Sequence, residues 1–271
     1  MSRLLKITDR DYNRFEEIFE EIKEVEIESV APEVIDGEQN VKVDGESVEN
    51  FDYAYIEISP KNAVFGRVAF EMISEKGVKT NHTATGFFIA SKKNYLYHVL
   101  HEKNISAPKT ASIASEKASR NIERELRGPL IARRLEELEE SESKKLDTVE
   151  QIGEFAQGSE YEEDILLFHE YNSGGKYRCL IAGNQIISLK DGSEGWKFDE
   201  ENLTYSNISD KQQEIVKNAS KALGTPVIEV ILRGEEVFDL NPNPDLKLYT
   251  EVSGKNAFEA VADTLKEEGE K

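Results

Sequence analysis

The sequence predicts an α/β (α+β) protein, on three observations. In about the first 90 residues, strand-like runs such as Tyr53–Ile58 alternate with helix-like segments such as Ala63–Lys76, an alternation typical of small α/β domains. Asp164–His169 is an apolar run with the length of a buried strand. Near the C-terminus, Val227–Leu232 and Glu236–Leu240 flank a short glycine-containing turn, which predicts a β-hairpin.

The chain is strongly acidic. Its 271 residues include 54 Asp and Glu against 34 Lys and Arg, which gives a net charge of −20 and a pI near 4.7. This charge argues against a general nucleic-acid binder, because such proteins need a basic face. It is typical of proteins from a salt-rich cytoplasm, where salt screens self-repulsion. The composition therefore predicts a halophilic, cytoplasmic protein.

Export and membrane signals are not evident in the sequence. The N-terminus becomes charged within its first residues, unlike a signal peptide. No apolar run approaches the roughly 18 residues of a membrane helix. Cys179 is the only cysteine, and its apolar neighbours predict a buried core position. We therefore expect an intracellular protein with no membrane partner and no disulfide within the chain.

In the N-terminal part, the pattern begins with a predicted strand at Leu4–Thr8. Aromatic and aliphatic residues then recur at helical spacing, which predicts a helix over Asp9–Glu24. The further predicted elements of this part are strands at Glu26–Val30, Val41–Val43 and Tyr53–Ile58, a helix at Ala63–Lys76 and a short strand at 78–81.

Beyond residue 90, helices predominate among the predicted elements. The predicted helices are Ser91–Asn104, Glu116–Arg127, Asp147–Phe155, Lys211–Leu223 and Asn256–Glu267, and Gly128–Arg133 is a predicted strand. Ser209 or Asp210 caps the helix that ends at Gly224. The acidic segment Leu135–Lys145 contains no glycine, and its spaced leucines predict a short helix or a solvent-exposed excursion.

The C-terminal hairpin brings oxygen ligands together. If its turn centres on Gly234, Glu229 and Asp239 lie opposite one another, and Asn241 lies on the same face. Carboxylate and amide oxygens suit Mg²⁺, which completes its shell with phosphate and water. The alternative is that these residues simply face solvent, as acidic residues often do. The apolar residues around them favour burial, and a buried carboxylate needs a cation.

The residues that follow carry a family resemblance. The run from Asp239 to Leu246, Asp-Leu-Asn-Pro-Asn-Pro-Asp-Leu, resembles the Glu-x-Asn-x-x-Pro-Gly signature of ATP-grasp carboxylate–amine ligases of the RimK type. In that family the acidic residue and the asparagine hold Mg²⁺, which implies this role for Asp239 and Asn241. Glu229 takes the place of an aspartate on the preceding strand. The resemblance implies ATP and Mg²⁺ as cofactors.

A second segment strengthens this resemblance. Glu170-Tyr171, followed by Arg178-Cys-Leu-Ile-Ala-Gly, is similar to the family pattern Gln-Glu-Tyr-Ile … Arg-x-Leu-Val-Val-Gly. By this resemblance, Glu170 and Tyr171 form the hinge against adenine, which they bind largely through the backbone. Arg178 then points at the γ-phosphate or at the acyl-phosphate.

Three more cations receive roles by the same resemblance. Lys93 takes the place of the first phosphate-binding lysine, although the alternative is a solvated charge on a helix. Arg133 stands where the family has a lysine that reaches the α- and β-phosphates; an arginine keeps the charge but has the geometry of a planar fork. Lys197 stands where the family has an arginine that helps to hold the reacting carboxylate.

One segment departs from the family. Where the family has a glycine-rich loop that covers the phosphates, this chain has the acidic segment Leu135–Lys145. Either this segment turns away from the nucleotide, or nucleotide binding is weak or lost. The resemblance implies an N-terminal α/β domain at 1–90, a small ATP-grasp subdomain at 91–168 and a C-terminal subdomain with the metal hairpin at 169–271.

The implied function is ATP-dependent ligation. A carboxylate of a small molecule or peptide takes the γ-phosphoryl group, and an amine attacks the resulting acyl-phosphate. The alternative is a catalytically degenerate ATP-grasp protein that serves as a binding or structural component of a larger assembly, for example a viral one. We expect no nucleic-acid partner, and a homo-oligomer or larger assembly is compatible with the sequence.

Overall fold

The computed structural model describes residues 2–8, 14–136, 139–157 and 164–267. Within these residues, an N-terminal parallel sheet is followed along the chain by antiparallel sheets and helices. The strands are β1 (Arg3–Thr8), β2 (Glu21–Val25), β3 (Val30–Ile35), β4 (Glu38–Val43), β5 (Glu46–Ser47), β6 (Tyr53–Glu57), β7 (Lys79–Thr80), β8 (Thr110–Ile113), β9 (Leu130–Glu136), β10 (Glu139–Leu146), β11 (Asp164–Glu170), β12 (Lys176–Ala182), β13 (Gln185–Asp191), β14 (Leu203–Tyr205), β15 (Val227–Arg233) and β16 (Glu236–Asn241). The helices are α1 (Ala63–Glu75), α2 (Ala84–Ser91), α3 (Lys93–Glu102), α4 (Ser119–Ile122), α5 (Ile152–Phe155), α6 (Asp210–Leu223), α7 (Leu246–Ser253) and α8 (Ala257–Glu267).

The N-terminal sheet is parallel, in the order β2-β1-β6-β7. A small antiparallel sheet, β3-β4-β5, lies beside α1. The predicted helix over Asp9–Glu24 was wrong for the residues described, because β2 pairs with β1 there, and positions 9–13 lie outside the described residues. Phe15, one of the aromatic residues that suggested the helix, lies on a single 3-10 turn and is buried. Its ring centroid lies 5.2 Å from that of Phe258.

A four-stranded antiparallel sheet, the lid sheet, has the order β10-β9-β11-β8. The described residues of the acidic segment Leu135–Lys145 enter this sheet as the end of β9 and most of β10, so the predicted helix or excursion was wrong for them; positions 137–138 lie outside the described residues. Its glutamates meet arginines of the neighbouring strand: Glu140 pairs with Arg133 at 2.5 Å, and Glu142 with Arg134 at 3.5 Å. Opposite charges across a ladder stabilise strand pairing, which helical spacing alone does not reveal.

A five-stranded antiparallel sheet, the floor sheet, has the order β14-β13-β12-β15-β16. One hydrophobic cluster joins it to the lid sheet, since Leu135 and Leu167 of the lid sheet share that cluster with Val230 and Leu240 of the floor sheet. The predicted strands and hairpin of this region are confirmed. The α/β (α+β) class is confirmed as well, whereas the predicted domain boundaries stay predictions.

Helix prediction was less complete in the middle of the chain. The sequence did not separate α2 from α3, and the helix predicted at Glu116–Arg127 is only one turn of 3-10 helix followed by the short α4. Helix α6 begins at the predicted cap, where Ser209 accepts a hydrogen bond from Gln212 N, and ends at Gly224 with a φ of 61°. Among the described residues, no helix is both long and apolar enough to cross a bilayer.

Candidate active site

The register of the β15–β16 hairpin differs from the prediction. Glu229 pairs with Asn241. Asp239 pairs with Ile231, so the predicted direct pairing of Glu229 with Asp239 was wrong. A two-residue turn alone would set Leu240 opposite Glu229 and point Asp239 to the other face. A bulge beside Ile231 adds one residue to β16, and this shift returns both Asp239 and Asn241 to the face of Glu229.

Asp239 is the centre of one half of the site. Its Oδ1 accepts hydrogen bonds from Lys93 Nζ at 2.6 Å and from Leu240 N at 2.8 Å, and its Oδ2 accepts one from Arg133 Nη2 at 2.9 Å. Burial raises the pKa of Asp239, but the charges of Lys93 and Arg133 outweigh burial and lower this pKa to about 2. Asp239 is therefore an anion held between two cations.

Glu229 is the centre of the other half and is fully buried. Arg178 donates to it from Nε at 2.6 Å and from Nη2 at 3.2 Å. Asn241 Nδ2 donates at 2.8 Å, and the Tyr249 hydroxyl donates at 2.9 Å. Burial lowers the pKa of Arg178, but the Glu229 carboxylate more than compensates and raises it above its ordinary value. Arg178 also reaches the exposed Glu200 at 2.6 Å.

Arg133 links the two sheets. It lies on β9 of the lid sheet, and it bonds Asp239 on the floor sheet with Nη2 and Glu140 on β10 with Nε. Its Nη1 is buried and has no hydrogen-bond partner within the described part of the chain. The Arg133 side chain therefore connects β9 with both β10 and β16.

A cleft of about 290 Å³ opens between the lid sheet and the floor sheet. Its lining includes residues of both sheets and of the loop after β13, namely Ile131, Arg133, Glu140, Ser143, Trp196, Lys197, Phe198, Phe238 and Asp239. The buried Lys176 side chain holds this loop in place, because its Nζ bonds Asp191 at 2.8 Å and the carbonyl oxygen of Lys197 at 2.7 Å. The anchored loop forms one wall of the cleft.

Six of the predicted site residues form two clusters of hydrogen-bonded side chains. The first cluster contains Lys93, Arg133 and Asp239. The second contains Glu229, Asn241 and Arg178. Lys197 lies in the cleft wall with its Nζ 5.2 Å from the Trp196 ring, outside both clusters.

The predicted hinge has few free donors. Glu170 N donates to Lys109 O at 3.0 Å, and Tyr171 N donates to Pro129 O at 2.8 Å. The Glu170 side chain is also engaged, because Oε1 accepts a hydrogen bond from Arg127 N at 2.8 Å. These two backbone N–H groups are therefore not available to a base.

Sequence reasoning missed two participants. Tyr249 on α7 fills one acceptor position of Glu229, and Glu140 on β10 pairs with Arg133. Tyr249 lies on α7, just after the run Asp239–Leu246, and no periodic pattern in the sequence pointed to it. The signal for Glu140 was the pair of arginines at 133 and 134 followed a few residues later by Glu140 and Glu142, which face each other when the two segments are read as paired strands.

The donor set fits Mg²⁺ in its chemistry. Glu229, Asp239 and Asn241 lie on one face of the hairpin, and carboxylate and amide oxygens are hard ligands that Mg²⁺ prefers. In the free protein the amide oxygen of Asn241 accepts a hydrogen bond from Asn243 N at 3.0 Å, and its amide nitrogen donates to Glu229. Among the described residues, no group of three or more His, Cys, Asp or Glu side chains could hold a metal alone. Two carboxylates, one amide and oxygens of a bound phosphate are, however, an ordinary Mg²⁺ environment.

The fold is that of solved ATP-grasp proteins. The ATP-grasp ligase PsnB, in a complex with minimal precursor, Mg and ADP, superposes with a TM-score of 0.74 at 12% identity over 99% of this chain and 98% of its own. A RimK domain ATP-grasp protein from Sphaerobacter thermophilus DSM 20745 gives 0.66 at 14% identity, over 98% and 100% of the two chains. The macrocyclase MdnC from Microcystis aeruginosa MRC, bound with precursor peptide MdnA, gives 0.65 at 12%, over 98% and 99%.

These similarities show that the chain has the ATP-grasp fold, with its N-terminal α/β domain included in the match. The cleft of this chain lies between the lid sheet and the floor sheet of this fold. Neither protein-family models nor curated protein sequences give a match to this chain.

Proposed function

We propose that the protein is an ATP-dependent carboxylate–amine ligase that requires Mg²⁺. The observation that carries this proposal is the convergence of three cations on two buried carboxylates of the β15–β16 hairpin, beside the cleft between the two sheets. Lys93 and Arg133 bond Asp239, and Arg178 bonds Glu229. Phosphoryl transfer depends on positioning and on neutralising the transferred group, and these cations supply both once a triphosphate is present.

The proposed reaction has two steps. A carboxylate oxygen of the substrate attacks the γ-phosphorus, and the bond to the bridging oxygen breaks, so that ADP leaves with that electron pair. The amine nitrogen then attacks the acyl carbon, inorganic phosphate leaves, and the nitrogen loses a proton. The product is an amide bond, and all atoms of the transferred phosphoryl group leave as phosphate.

The residues of this chain divide the work. Lys93 and Arg133 hold phosphates of the nucleotide, with Arg133 at the α- and β-phosphates, and their shared contact with Asp239 at the cleft supports this assignment. Arg178 orients the acyl-phosphate, because its guanidinium is fixed on Glu229. Lys197 in the cleft wall holds the reacting carboxylate. Bound Mg²⁺, held by Glu229, Asp239 and Asn241, supplies charge neutralisation of the polyphosphate.

Peptides are the proposed substrate class. PsnB was solved with a precursor peptide and AMPPNP, and MdnC with the precursor peptide MdnA. Both superpose over nearly the whole length of this chain. We infer that the carboxylate and the amine of the present reaction both belong to peptide side chains or termini.

A second candidate function is a nucleotide-binding or structural component without catalysis. One observation favours it: the oxygens of Glu229 and Asp239 already accept hydrogen bonds from this chain's own side chains. Ion pairs whose partners all belong to the same chain can stabilise a fold without a bound metal. The same set is also a charge-balanced resting state for an enzyme, because each cation can move from a carboxylate to a phosphate.

Calorimetry with Mg·ATP, followed by trapping of an acyl-phosphate with hydroxylamine, tests the proposal. An active ligase binds Mg·ATP, shows a raised melting temperature and yields a hydroxamate with some member of a panel of acidic peptides. Lys93→Met should abolish binding, whereas Lys92→Met, the adjacent matched control, should not. Binding without any hydroxamate or phosphate release supports the second candidate. Absence of binding at millimolar Mg·ATP contradicts the ligase and a nucleotide-binding role, and it leaves the structural component as the second candidate.

A further inference from the structure

Tyr249 on α7 is fully buried, and its hydroxyl lies against the β15–β16 hairpin. The hydroxyl donates to Glu229 Oε1 at 2.9 Å, and Glu229 is its one hydrogen-bond partner among the described residues. The residue belongs to the hydrophobic cluster that contains Leu180 and Val227 of the floor sheet. A phenylalanine ring would pack there as well, so the hydroxyl is the part of Tyr249 that serves Glu229.

The two oxygens of Glu229 have different partners. Oε1 accepts hydrogen bonds from the Tyr249 hydroxyl at 2.9 Å and from Arg178 Nε at 2.6 Å. Oε2 accepts from Asn241 Nδ2 at 2.8 Å and from Arg178 Nη2 at 3.2 Å. A carboxylate has about four acceptor positions, so donors of this chain fill it. A metal ion on Glu229 must therefore take the place of one of these donors.

Oε2 is the oxygen that a metal ion can take over. Its contact with Arg178 is the longest of the four, at 3.2 Å. Its other partner, Asn241, is itself a proposed ligand of the same ion, and an ion between the two side chains replaces their mutual hydrogen bond. Oε1 instead holds the hydroxyl of Tyr249, which is neutral and fully buried and bonds no second acceptor within the described part of the chain.

Arg178 does not fix Glu229 by itself throughout the proposed reaction. Its Nη1 already bonds the exposed Glu200 at 2.6 Å. The proposed function also gives its guanidinium the acyl-phosphate as a further partner, which competes with Glu229 for the same donors. Tyr249 is then the donor that stays on Oε1 while Arg178 turns to the phosphate.

Local hydrogen bonds fix Tyr249 relative to the hairpin. Asn243 N donates to Asn241 Oδ1 at 3.0 Å, and Asn243 Nδ2 donates to Ile58 O, just after β6, at 2.7 Å. Asp245 then caps α7 with its side chain, and its carbonyl oxygen accepts from Tyr249 N at 3.1 Å. The segment from the metal motif to Tyr249 is thus held at several points, which sets the hydroxyl at a defined place beside Glu229.

We propose that Tyr249 is a positioning residue of the metal site, which holds Oε1 of Glu229 so that Oε2 alone is presented to Mg²⁺. This inference rests on the proposed function, since it takes Glu229 as a ligand of Mg²⁺. Groups that orient a metal ligand contribute roughly 10- to 100-fold to metal affinity. Phosphate binding by Lys93 and Arg133 does not depend on Tyr249, because both cations bond Asp239 and not Glu229.

Calorimetry on the full chain tests this role with two probes, Mg·ATP and ATP in the presence of EDTA. Tyr249→Phe should weaken Mg·ATP binding about tenfold, or about 1.4 kcal/mol, and change ATP binding in EDTA less than about twofold. Tyr205→Phe removes an exposed hydroxyl that bonds Asn207, so this matched control should change neither affinity. A merely structural role would lower the melting temperature of the free protein and leave the ratio of the two affinities unchanged.

A double-mutant cycle tests whether Tyr249 acts through Glu229. In a Glu229→Gln background, Tyr249→Phe should weaken Mg·ATP binding no further, because the ligand that it positions is already lost. Glu229→Asp draws the carboxylate away from the hydroxyl by one methylene, and it serves as the background if the glutamine variant does not fold. Losses that add in full would mean that Tyr249 acts by another route, which overturns the inference.

Two results in a folded Tyr249→Phe protein also overturn it. One is an unchanged affinity for Mg·ATP. The other is an equal loss of affinity for both probes, which would mean that Tyr249 acts through the shape of the cleft. If the wild type binds neither probe, the proposed function fails and this inference with it. If the wild type binds ATP equally well with and without Mg²⁺, the metal roles of Glu229 and Tyr249 fail while nucleotide binding stands.

Discussion

Lys93 Nζ lies 2.6 Å from Asp239 Oδ1, although 146 positions separate the two residues in the chain. Lys93 is the first residue of α3, and Asp239 lies on β16. A predicted phosphate-binding cation and a predicted metal ligand thus neutralise each other in the free protein. Arg133 and Asp239, and likewise Arg178 and Glu229, repeat this relationship. Under the proposed function, we expect nucleotide binding to exchange partners among these paired charges.

Asp239→Asn is expected to abolish the Mg²⁺-dependent part of the rise in melting temperature that ATP causes. It removes one of the two proposed metal carboxylates, and it leaves Lys93 and Arg133 without their shared anion. Loss of one partner from a buried ion pair costs about 3 kcal/mol or more, so the free energy of unfolding should fall as well. Scanning calorimetry with ATP, with and without Mg²⁺, measures both effects.

The control for this prediction is Asp147→Asn, at an exposed position outside the cleft. It should leave stability within about 0.5 kcal/mol of the wild type and keep the response to Mg²⁺. An Asp239→Asn protein that still responds to Mg²⁺ as the wild type does would rule out Asp239 as a metal ligand.

Glu140→Gln is expected to strengthen ATP binding severalfold. Glu140 Oε2 lies 2.5 Å from Arg133 Nε at the cleft, where its charge repels a polyphosphate and competes for the guanidinium. Removing that charge releases Arg133 for the nucleotide. Glu142→Gln is the matched control, because Glu142 pairs with the neighbouring Arg134 on the same strands. Weaker ATP binding in Glu140→Gln would instead show that β10 is a functional lid.

His169→Gln is expected to flatten the pH dependence of stability. Burial, with a smaller contribution from the charge of Arg133, lowers the pKa of His169 to about 3 from an ordinary value of 6.5. Below pH 6.5 the unfolded chain binds a proton that the folded protein does not. The contribution of His169 to stability is thus full above pH 6.5 and is lost as the pH falls toward 3, by about 1.4 kcal/mol per pH unit.

Urea unfolding between pH 4 and 8 measures this effect. The slope of the free energy of unfolding against pH should be smaller in His169→Gln by that amount between about pH 4 and pH 6. His98→Gln replaces an exposed histidine and should keep the wild-type slope. Equal slopes in all three proteins would mean that His169 titrates normally.

Gly174→Ala is expected to destabilise the protein by about 1–3 kcal/mol, the usual cost of overpacking. A Cβ at Gly174 would lie 2.7 Å from Gly234 Cα in the hairpin turn, and that neighbour is backbone rather than a flexible side chain. The turn is also fixed to this loop, because Gly234 N donates to Gly175 O at 2.8 Å. Thermal unfolding measures the loss.

Gly153→Ala is the matched control. The nearest atoms to a Cβ at Gly153 lie 3.9 Å away, and the residue is helical. Alanine is the better helix former, so this variant should be neutral or more stable. A Gly174→Ala protein with unchanged melting temperature would contradict the close packing of the loop against the turn.

Elements with a strong local pattern could be predicted from the sequence. The hairpin of β15 and β16, the buried strand β11, and helix α6 with its Ser209 cap all appear near their predicted bounds. The helix predicted over Asp9–Glu24 and the short helix or solvent-exposed excursion predicted over Leu135–Lys145 failed for a common reason. In the described residues of both segments a strand pairs with a neighbour in a sheet, β2 with β1 and β10 with β9, and helical spacing does not report such a pairing.

The sequence by itself determined the class of fold and the chemical types of the candidate site residues, because apolar periodicity and short motifs are local properties of the chain. Only the tertiary structure decided how these residues meet. The bulge in β16 sets which face Asp239 occupies, and long-range contacts set Tyr249 on Glu229 and Glu140 on Arg133. A one-residue change of register turns every side chain of a strand to the opposite face, so the geometry of the site depends on pairings that no local pattern records.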